Sequence, residues 1–254
     1  MSTQKHTVVI IGGGTAGISV AAKLRRQQAN LDIAIIDPAE HHFYQPAWTL
    51  VGGGAYQAND TKRPLASVIP NGVTHITELV TELAPENNQV TLANGSSISY
   101  DYLVVAAGIQ INWDAIKGLQ ETLGKNGVTS NYRFDLAPYT WELVKNFKGG
   151  NAIFTQPAGA VKCPGAPQKA LYLSADYWQK NGIKASSLQF RSGAASIFGV
   201  PFYAQALNQV VESYKTDAQY GQTLVEVRGD ERIAVFERTK DDAVVHEEVP
   251  FELL

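Results

Sequence analysis

The sequence contains few of the residues on which several classes of protein depend. It has one cysteine, Cys163, in 254 residues, which excludes an internal disulfide framework and suits a reducing compartment. Only 18% of its residues are charged, and the net charge of −3 is spread along the chain, so no nucleic-acid partner is predicted. No run approaches the roughly eighteen apolar residues of a membrane span.

The beginning of the chain superficially resembles a secretory signal peptide, because Lys5 precedes an apolar run. Three consecutive glycines interrupt that run, and an acid follows at Asp37. These features favour a nucleotide-binding segment instead. We therefore expect no signal peptide and a soluble chain.

The strongest motif joins a strand to a helix. A β-branched run over residues 7–11 leads into Gly12-x-Gly14-x-x-Gly17, and small apolar residues then continue at helical spacing. Gly12 would permit the sharp turn, Gly14 would let backbone N–H groups approach a pyrophosphate, and Gly17 would let the helix pack close to the strand. The pattern predicts a phosphate-binding turn at a helix N-terminus.

A second apolar strand over residues 32–36 ends at Asp37, twenty residues after Gly17. An acid in this position accepts hydrogen bonds from an adenosine ribose and disfavours a ribose 2′-phosphate. A glycine-rich turn with an unrelated surface aspartate is the alternative. It is disfavoured because strand, glycines, helix and acid occur in the expected order.

The remaining residues of the first half of the sequence predict a loop and a β-meander at the edge of the first sheet. Residues 38–48 read as a loop, in which the adjacent His41 and His42 are interpreted as polar residues rather than metal ligands. Residues 73–100 predict short strands of a β-meander, followed by a buried strand over residues 101–108. The small residues that end it, Ala107 and Gly108, would lie beside the glycine turn.

After a boundary near residues 109–112, the chain predicts a second strand–helix–strand–helix unit. Its segments are residues 136–147 (helix), 151–155 (strand), 166–179 (helix), 188–191 (strand) and 202–214 (helix), followed by a hairpin and by strand-like residues 244–245 and 249–254. This unit lacks a second glycine fingerprint and a ribose-binding acid, which disfavours a nicotinamide site. The predicted fold class is therefore α/β, with two Rossmann-like units built on parallel sheets and a β-meander in the first.

Four segments together resemble the sulfide:quinone oxidoreductase family, within the flavoproteins that carry two dinucleotide-binding domains. They are the glycine motif and residues 41–53, 100–108 and 162–169. The first and third are shared by many flavoproteins, whereas the second and fourth are more specific. The resemblance implies an FAD-dependent oxidation of sulfide with a quinone as acceptor. It also implies an FAD-binding domain over residues 1–110 and a second domain, carrying the redox cysteine, over residues 111–254.

The resemblance also implies the residues of the site. Gly12, Gly14, Gly17 and Asp37 would hold the ADP half of FAD, and Cys163 matches the flavin-side redox cysteine of the family. The further implied cofactor contacts are Thr15, Ala16, Gln45, Val80, Ala107 and Gly108.

The surroundings of Cys163 agree with a redox role. It lies in a loop rich in proline and glycine, just before the predicted helix over residues 166–179. The helix dipole and the neighbouring Lys162 would favour the thiolate. The alternative is an inert buried cysteine.

This sequence departs from the family pattern in two ways. It has no second cysteine, whereas the family uses two. It also has no counterpart of the family's carboxyl-terminal section, which supplies an acidic flavin contact, a quinone pocket and a membrane-facing surface. The sequence thus resembles the amino-terminal portion of such an enzyme. From this we expect incomplete catalysis, weak FAD retention, possible homo-oligomers because the terminal apolar strand would lack neighbours, and membrane contact only through the missing section, on the cytoplasmic side.

Two other functions remain open from sequence. One is a non-catalytic module that binds an adenine dinucleotide. The other is an NADH:quinone oxidoreductase of the same superfamily, which the absent second glycine motif disfavours.

Overall fold

A computed structural model describes residues 4–254, which cluster into two compact units. The first unit contains the described residues up to Tyr44 together with Asn59–Gln110. The second contains Gln45–Ala58 together with Ile111–Leu254. Within residues 4–254, no helix combines the length and the apolar character needed to cross a bilayer.

The first unit is built on a six-stranded sheet with the order β5-β2-β1-β8-β7-β6. Its elements are β1 (Gln4–Ile11), α1 (Thr15–Gln27), β2 (Ile33–Ile36), β3 (His41–Phe43), β4 (Lys62–Pro64), β5 (Thr74–Ile76), β6 (Val80–Ala84), β7 (Gln89–Leu92) and β8 (Ser97–Val105). Strand β1 pairs in parallel with β2 and β8, and β2 pairs in parallel with β5. All four residues of β2 are buried, as an apolar strand in the middle of a parallel sheet requires. The predicted strand–turn–helix–strand order is confirmed.

The predicted meander is also confirmed, since β6, β7 and β8 pair antiparallel in sequence order. Strand β8 is one continuous strand where the sequence predicts two. The prediction that its second half is buried is wrong, because Tyr102 and Val105 are 68% and 60% exposed. Helix α1 packs against β1 and β2, and no other long helix of the described first unit covers the end of β8.

The predicted loop over residues 38–48 contains regular structure. Strand β3 pairs antiparallel with β4, so that His41 lies opposite Pro64 and Phe43 opposite Lys62. The pairing joins segments about twenty residues apart, and short strands of this kind depend on their partner more than on local propensity.

The second unit combines a parallel sheet, an antiparallel sheet and five helices among the described residues. Its elements are α2 (Trp48–Gly52), α3 (Leu119–Thr122), α4 (Leu136–Asn146), β9 (Asn151–Gln156), α5 (Ala166–Lys180), β10 (Ser187–Ser192), α6 (Pro201–Ser213), β11 (Asp217–Tyr220), β12 (Thr223–Arg228), β13 (Ile233–Lys240) and β14 (Ala243–Pro250). The parallel sheet has the order β11-β10-β9, and the antiparallel sheet the order β12-β13-β14. The predicted strand–helix–strand–helix unit is confirmed, but the polar strand β11 was not foreseen.

Residues 45–58 cluster with the second unit, although the sequence predicts a single division after residue 110. The reason is local packing, because helix α2 lies against α4 and α5. The buried side chains of Trp48 and Val51 belong to this short helix.

Three of the last four residues are buried within the second unit rather than left without neighbours. Phe251, Leu253 and Leu254 are 1%, 2% and 9% exposed. The amide of Ile153 in β9 donates to the Leu253 carbonyl (2.8 Å), and the Leu254 amide donates to the Gly127 carbonyl (2.9 Å). The expectation of an unpartnered terminal strand is therefore wrong, because β14 ends at Pro250 and the chain then pairs alongside β9.

Candidate functional site

The turn between β1 and α1 has two crowded glycines and one open glycine. Gly12 has φ = +102°, and a Cβ there would collide with the Ala106 carbonyl oxygen. A Cβ on Gly17 would collide with the Gly12 carbonyl oxygen, whereas a Cβ on Gly14 would meet nothing within 4 Å. The backbone at Gly14 therefore faces open space into which a ligand can approach.

Helix α1 begins beside this opening. Gly14 is its N-cap residue, no side chain of the described residues caps it, and its first turn contains no acid. Thr15 and Ala16, at the start of the helix, are both exposed. Unpaired N–H groups and the positive end of the helix dipole make such a terminus suited to an anion.

Asp37 follows β2 and is fixed against the turn. Its Oδ2 accepts a hydrogen bond from the Gly13 amide (2.6 Å), and its Oδ1 accepts one from the Ala39 amide (2.8 Å). Each carboxylate oxygen can accept more than one hydrogen bond. The side chain thus has acceptor capacity left for the hydroxyl groups of a ribose.

Three neighbouring side chains that were not predicted as site residues support this turn. A Cβ on Gly13 would touch the Leu65 side chain at 3.0 Å. His42 Nδ1 lies 3.4 Å from the Gly13 carbonyl oxygen, and His75 Nε2 lies 3.2 Å from the Asp37 carbonyl oxygen. The two adjacent histidines are conspicuous in the sequence, but only the fold shows that His42 lies against the glycine turn.

The other predicted contacts in the first unit fall in two places. Ala107 and Gly108 follow β8 and are exposed, and Ala107 lies next to Gly12, since a Cβ on Gly12 would come within 3.2 Å of the Ala107 Cα. Val80 begins β6 and packs against the buried cluster that contains Val9 and Ile36. The structure therefore gathers Gly12, Gly14, Gly17, Asp37, Ala107 and Gly108 at the carboxyl ends of β1, β2 and β8.

The unequal crowding of the glycines gives a matched test. We expect Gly17→Ala to lower the free energy of unfolding by about 1–3 kcal/mol, the usual range for an overpacked contact. Gly14→Ala should leave stability within about 0.5 kcal/mol of the wild type, because its Cβ enters open space. Urea unfolding followed by circular dichroism measures both, and equal losses for the two variants would contradict the geometry.

In the second unit, Cys163 lies in the loop between β9 and α5. It is a free thiol of intermediate exposure. Its carbonyl oxygen accepts a hydrogen bond from the Ala166 amide (3.1 Å), where α5 begins. The cysteine is therefore held beside the start of a fifteen-residue helix.

The side chain of Lys162 is held by two segments of the same unit. Its Nζ donates a hydrogen bond to Gln45 Oε1 and lies 5.6 Å from the centre of the Tyr132 ring. Burial raises the pKa of the Tyr132 hydroxyl, and an electrostatic interaction with Cys163 raises it further. Gln45, predicted as a cofactor contact, is thus a partner of Lys162, and Tyr132 joins the surroundings of Cys163.

The loop after β9 packs closely against the end of β10 in the second unit. A nucleotide binds a doubly wound sheet at the carboxyl ends of its strands. Here a Cβ on Gly193, after β10, would meet the Ala158 nitrogen at 2.5 Å. The buried amide of Gln168 donates to the Pro164 and Ile197 carbonyls (3.1 and 2.7 Å), tying the start of α5 to the loop after β10.

The chain is similar in sequence to known oxidoreductases. The sequence profile of the family described as pyridine nucleotide-disulphide oxidoreductase matches residues 6–143. The mitochondrial sulfide:quinone oxidoreductase of Dictyostelium discoideum is 45% identical over 241 residues, covering 94% of this chain and 53% of that protein. The mouse enzyme of the same name is 41% identical over 250 residues, covering 98% of this chain and 55% of that protein.

The fold has a solved counterpart. The crystal structure of the sulfide:quinone oxidoreductase from Aquifex aeolicus matches with a TM-score of 0.80 at 23% identity, over 99% of this chain and 57% of that one. The chain thus spans about half the length of these relatives.

Proposed function

The chain belongs to the pyridine nucleotide-disulphide oxidoreductase family, and from this we propose that it binds FAD and uses Cys163 to oxidise sulfide, with a quinone as the final electron acceptor. One contrast carries the proposal. The first unit has the Gly12-x-Gly14-x-x-Gly17 turn and Asp37 after β2 for a dinucleotide, whereas the second unit has neither that glycine spacing nor an acid after β10 and carries a cysteine before α5 instead.

The residues of the first unit fit the ADP half of FAD. The open backbone at Gly14 and the uncapped start of α1 suit a pyrophosphate. Asp37 suits an unphosphorylated ribose, since a 2′-phosphate would meet its negative charge. The proposed cofactor contacts are Gly12, Gly14, Thr15, Ala16, Gly17, Asp37, Gln45, Val80, Ala107 and Gly108.

Cys163 supplies the sulfur chemistry in this proposal. A bond forms between its Sγ and the sulfur of sulfide, giving a persulfide and releasing two electrons and two protons. A bound flavin would supply the acceptor for those two electrons. The start of α5 lies beside the cysteine, and the thiolate is the reactive form of a cysteine.

The persulfide must then lose its outer sulfur before Cys163 can react again. Because the sequence has one cysteine, no second thiol of this chain can accept that sulfur. The acceptor must lie outside these residues, and we propose that it is an added thiol. Continued turnover of this chain should depend on added thiol.

Replacement of Asp37 tests the cofactor assignment. We expect Asp37→Asn to weaken FAD binding by about 1.5–3 kcal/mol, the range for a hydrogen bond to a charged group. Isothermal titration with FAD measures the affinity, and Asp101→Asn, an exposed acid paired with Lys5, is the matched control. Equal affinities for wild type and Asp37→Asn would show that the ribose is held by other residues.

The function itself is tested by sulfide-dependent reduction of a soluble quinone, after reconstitution with FAD and in the presence of a thiol. We expect quinone reduction that requires both sulfide and FAD. Quinone reduction by NADH in place of sulfide would instead support an NADH:quinone oxidoreductase. The sequence of the second unit argues against that activity, because it has neither the glycine fingerprint nor an acid after β10.

A further inference from the structure

Gln168, the third residue of α5, is a buried side chain that bonds to the loop carrying Cys163. It is 2% exposed. Its Nε2 donates hydrogen bonds to the Pro164 carbonyl (3.1 Å) and to the Ile197 carbonyl (2.7 Å). A side-chain amide nitrogen has two hydrogens to donate, so both are used. Because Pro164 directly follows Cys163, this one side chain joins the loop of the cysteine to the loop after β10.

Tyr172 fixes the orientation of the Gln168 amide. Its hydroxyl, one turn further along α5, donates a hydrogen bond to Gln168 Oε1 (3.1 Å). Burial, with smaller contributions from Tyr220 and Tyr214, raises the pKa of the Tyr172 hydroxyl to about 12. The phenol therefore keeps its proton near neutral pH and remains a donor. A donor at Oε1 leaves Nε2 facing the two carbonyls.

The loop after β10 is itself fixed within the second unit. The Ile197 side chain is 2% exposed and packs in the buried cluster that contains Leu171. The Ala194 carbonyl accepts a hydrogen bond from the Gly221 amide, which follows β11 (3.0 Å). Gln168 therefore ties the cysteine loop to a part of the unit that has its own buried contacts.

The loop that carries Cys163 depends on side chains for its position. No helix or strand lies between β9 and α5 in the described chain. On one side of the cysteine, Lys162 donates to Gln45. On the other side, Gln168 holds the Pro164 carbonyl. The place of the thiol thus depends on the residues that flank it, and Gln168 is the buried one of these two anchors.

We propose that Gln168 is a positioning residue, which holds the Cys163 thiol in the place where it reacts. The effect on the reaction rests on the function proposed above, whereas the effect on the place of the thiol does not. Gln168→Met tests the proposal, because methionine fills nearly the same space but cannot donate to either carbonyl.

The first measurement follows the thiol without flavin or sulfide. The sequence has one cysteine, so bromotrifluoroacetone labels Cys163 and gives one signal in fluorine NMR. We expect a single narrow signal in the wild type and a broadened or split signal in Gln168→Met. Ser174→Ala is the matched control, because Ser174 is equally buried (1% exposed) and its hydroxyl donates within α5, to the Ala170 carbonyl (2.8 Å). Its spectrum should match that of the wild type.

The second measurement is the rate of FAD reduction by sulfide in the reconstituted protein. At saturating sulfide, Gln168→Met should be slower by about tenfold or more, since displacement of a reacting group by about 1 Å can cost about a hundredfold in rate. The sulfide concentration that gives half the maximal rate should change much less. Ser174→Ala should retain the wild-type rate.

A folded Gln168→Met variant with the wild-type fluorine spectrum would overturn the proposal, and so would an altered spectrum with the wild-type rate. Tyr172→Phe removes only the hydroxyl that orients the amide. It should change both readouts in the same direction, and it carries the test if Gln168→Met does not fold. If sulfide reduces no flavin even in the wild type, the proposed function fails, while the fluorine spectra still decide whether Gln168 places the thiol.

Discussion

Replacing Cys163 with serine is expected to abolish the reduction of protein-bound FAD by sulfide. Serine has nearly the same shape, but its oxygen cannot form the sulfur–sulfur bond on which the proposed reaction depends. Stopped-flow absorbance of the reconstituted chain measures the rate. Because Cys163 is in the second unit and the proposed ADP contacts of FAD are in the first, the affinity for FAD should remain unchanged.

Lys169→Met is the matched control for this experiment. Lys169 is an exposed cation in the first turns of α5 and is close in sequence to Cys163. The Lys169→Met variant should retain most of the wild-type rate of FAD reduction by sulfide. Sulfide-dependent reduction at the wild-type rate in Cys163→Ser would show that the cysteine is not the reacting group. Wild-type turnover that continued without added thiol would show that the persulfide is resolved by another route.

The second large effect is expected at Arg191, the most thoroughly bonded cation of the second unit among the described residues. The Arg191 side chain is 2% exposed. Its guanidinium donates two hydrogen bonds to Glu247 (3.0 and 3.1 Å). It also donates to Gln189 (2.7 Å) and Gln222 (2.6 Å), and lies 4.7 Å from the centre of the Phe236 ring. This one side chain joins β10 of the parallel sheet to β14 of the antiparallel sheet.

Arg191→Met should therefore lower the free energy of unfolding by about 3 kcal/mol. Methionine retains the apolar stem but leaves two buried glutamine oxygens and one carboxylate without their donor, and loss of one partner of a buried pair typically costs about 3–5 kcal/mol. We expect a loss at the lower end of this range because the Glu247 side chain is 40% exposed, so water can partly replace its lost partner. Chemical denaturation measures the change.

Lys180→Met is the control for the loss of a cation. Lys180 pairs with Asp176 on the surface of α5 (2.8 Å), with side-chain exposures of 72% and 41%. Such pairs contribute about 0–1 kcal/mol. A loss as small as this for Arg191→Met would contradict a structural role for the buried guanidinium.

The same contact predicts a dependence of stability on acid. The hydrogen bonds from Arg191 lower the pKa of the Glu247 carboxyl from its ordinary value of 4.5. A carboxyl whose pKa is lowered on folding adds stability above its unfolded-state pKa, and this stability is lost as the pH falls through the folded-state value. Wild type should therefore lose more stability below pH 4.5 than Glu247→Gln does.

Local patterns were sufficient to predict the elements that carry the dinucleotide motif. The apolar run before Gly12, the helical spacing after it and the acid at Asp37 each have a local physical cause. The structure places them as β1, α1 and the end of β2. The meander and the helix that begins after Cys163 were predictable for the same reason.

The remaining features depend on contacts between distant parts of the chain. The burial of Leu254 depends on the loop at Gly127, and residues 45–58 join the second unit through the packing of α2. Likewise, Tyr132 lies about thirty residues before Cys163 in the sequence. No local pattern indicates that these residues share one region.

We propose that this chain binds a flavin that sulfide can reduce through Cys163. The most direct measurement is the ultraviolet–visible difference spectrum of the purified 254-residue chain, titrated with FAD under anaerobic conditions, before and after addition of sulfide. We predict a protein-bound oxidised flavin spectrum that bleaches with sulfide in the wild type and not in Cys163→Ser. A correctly folded chain that shows no saturable FAD binding, or a bound flavin that sulfide leaves oxidised, would contradict this proposal.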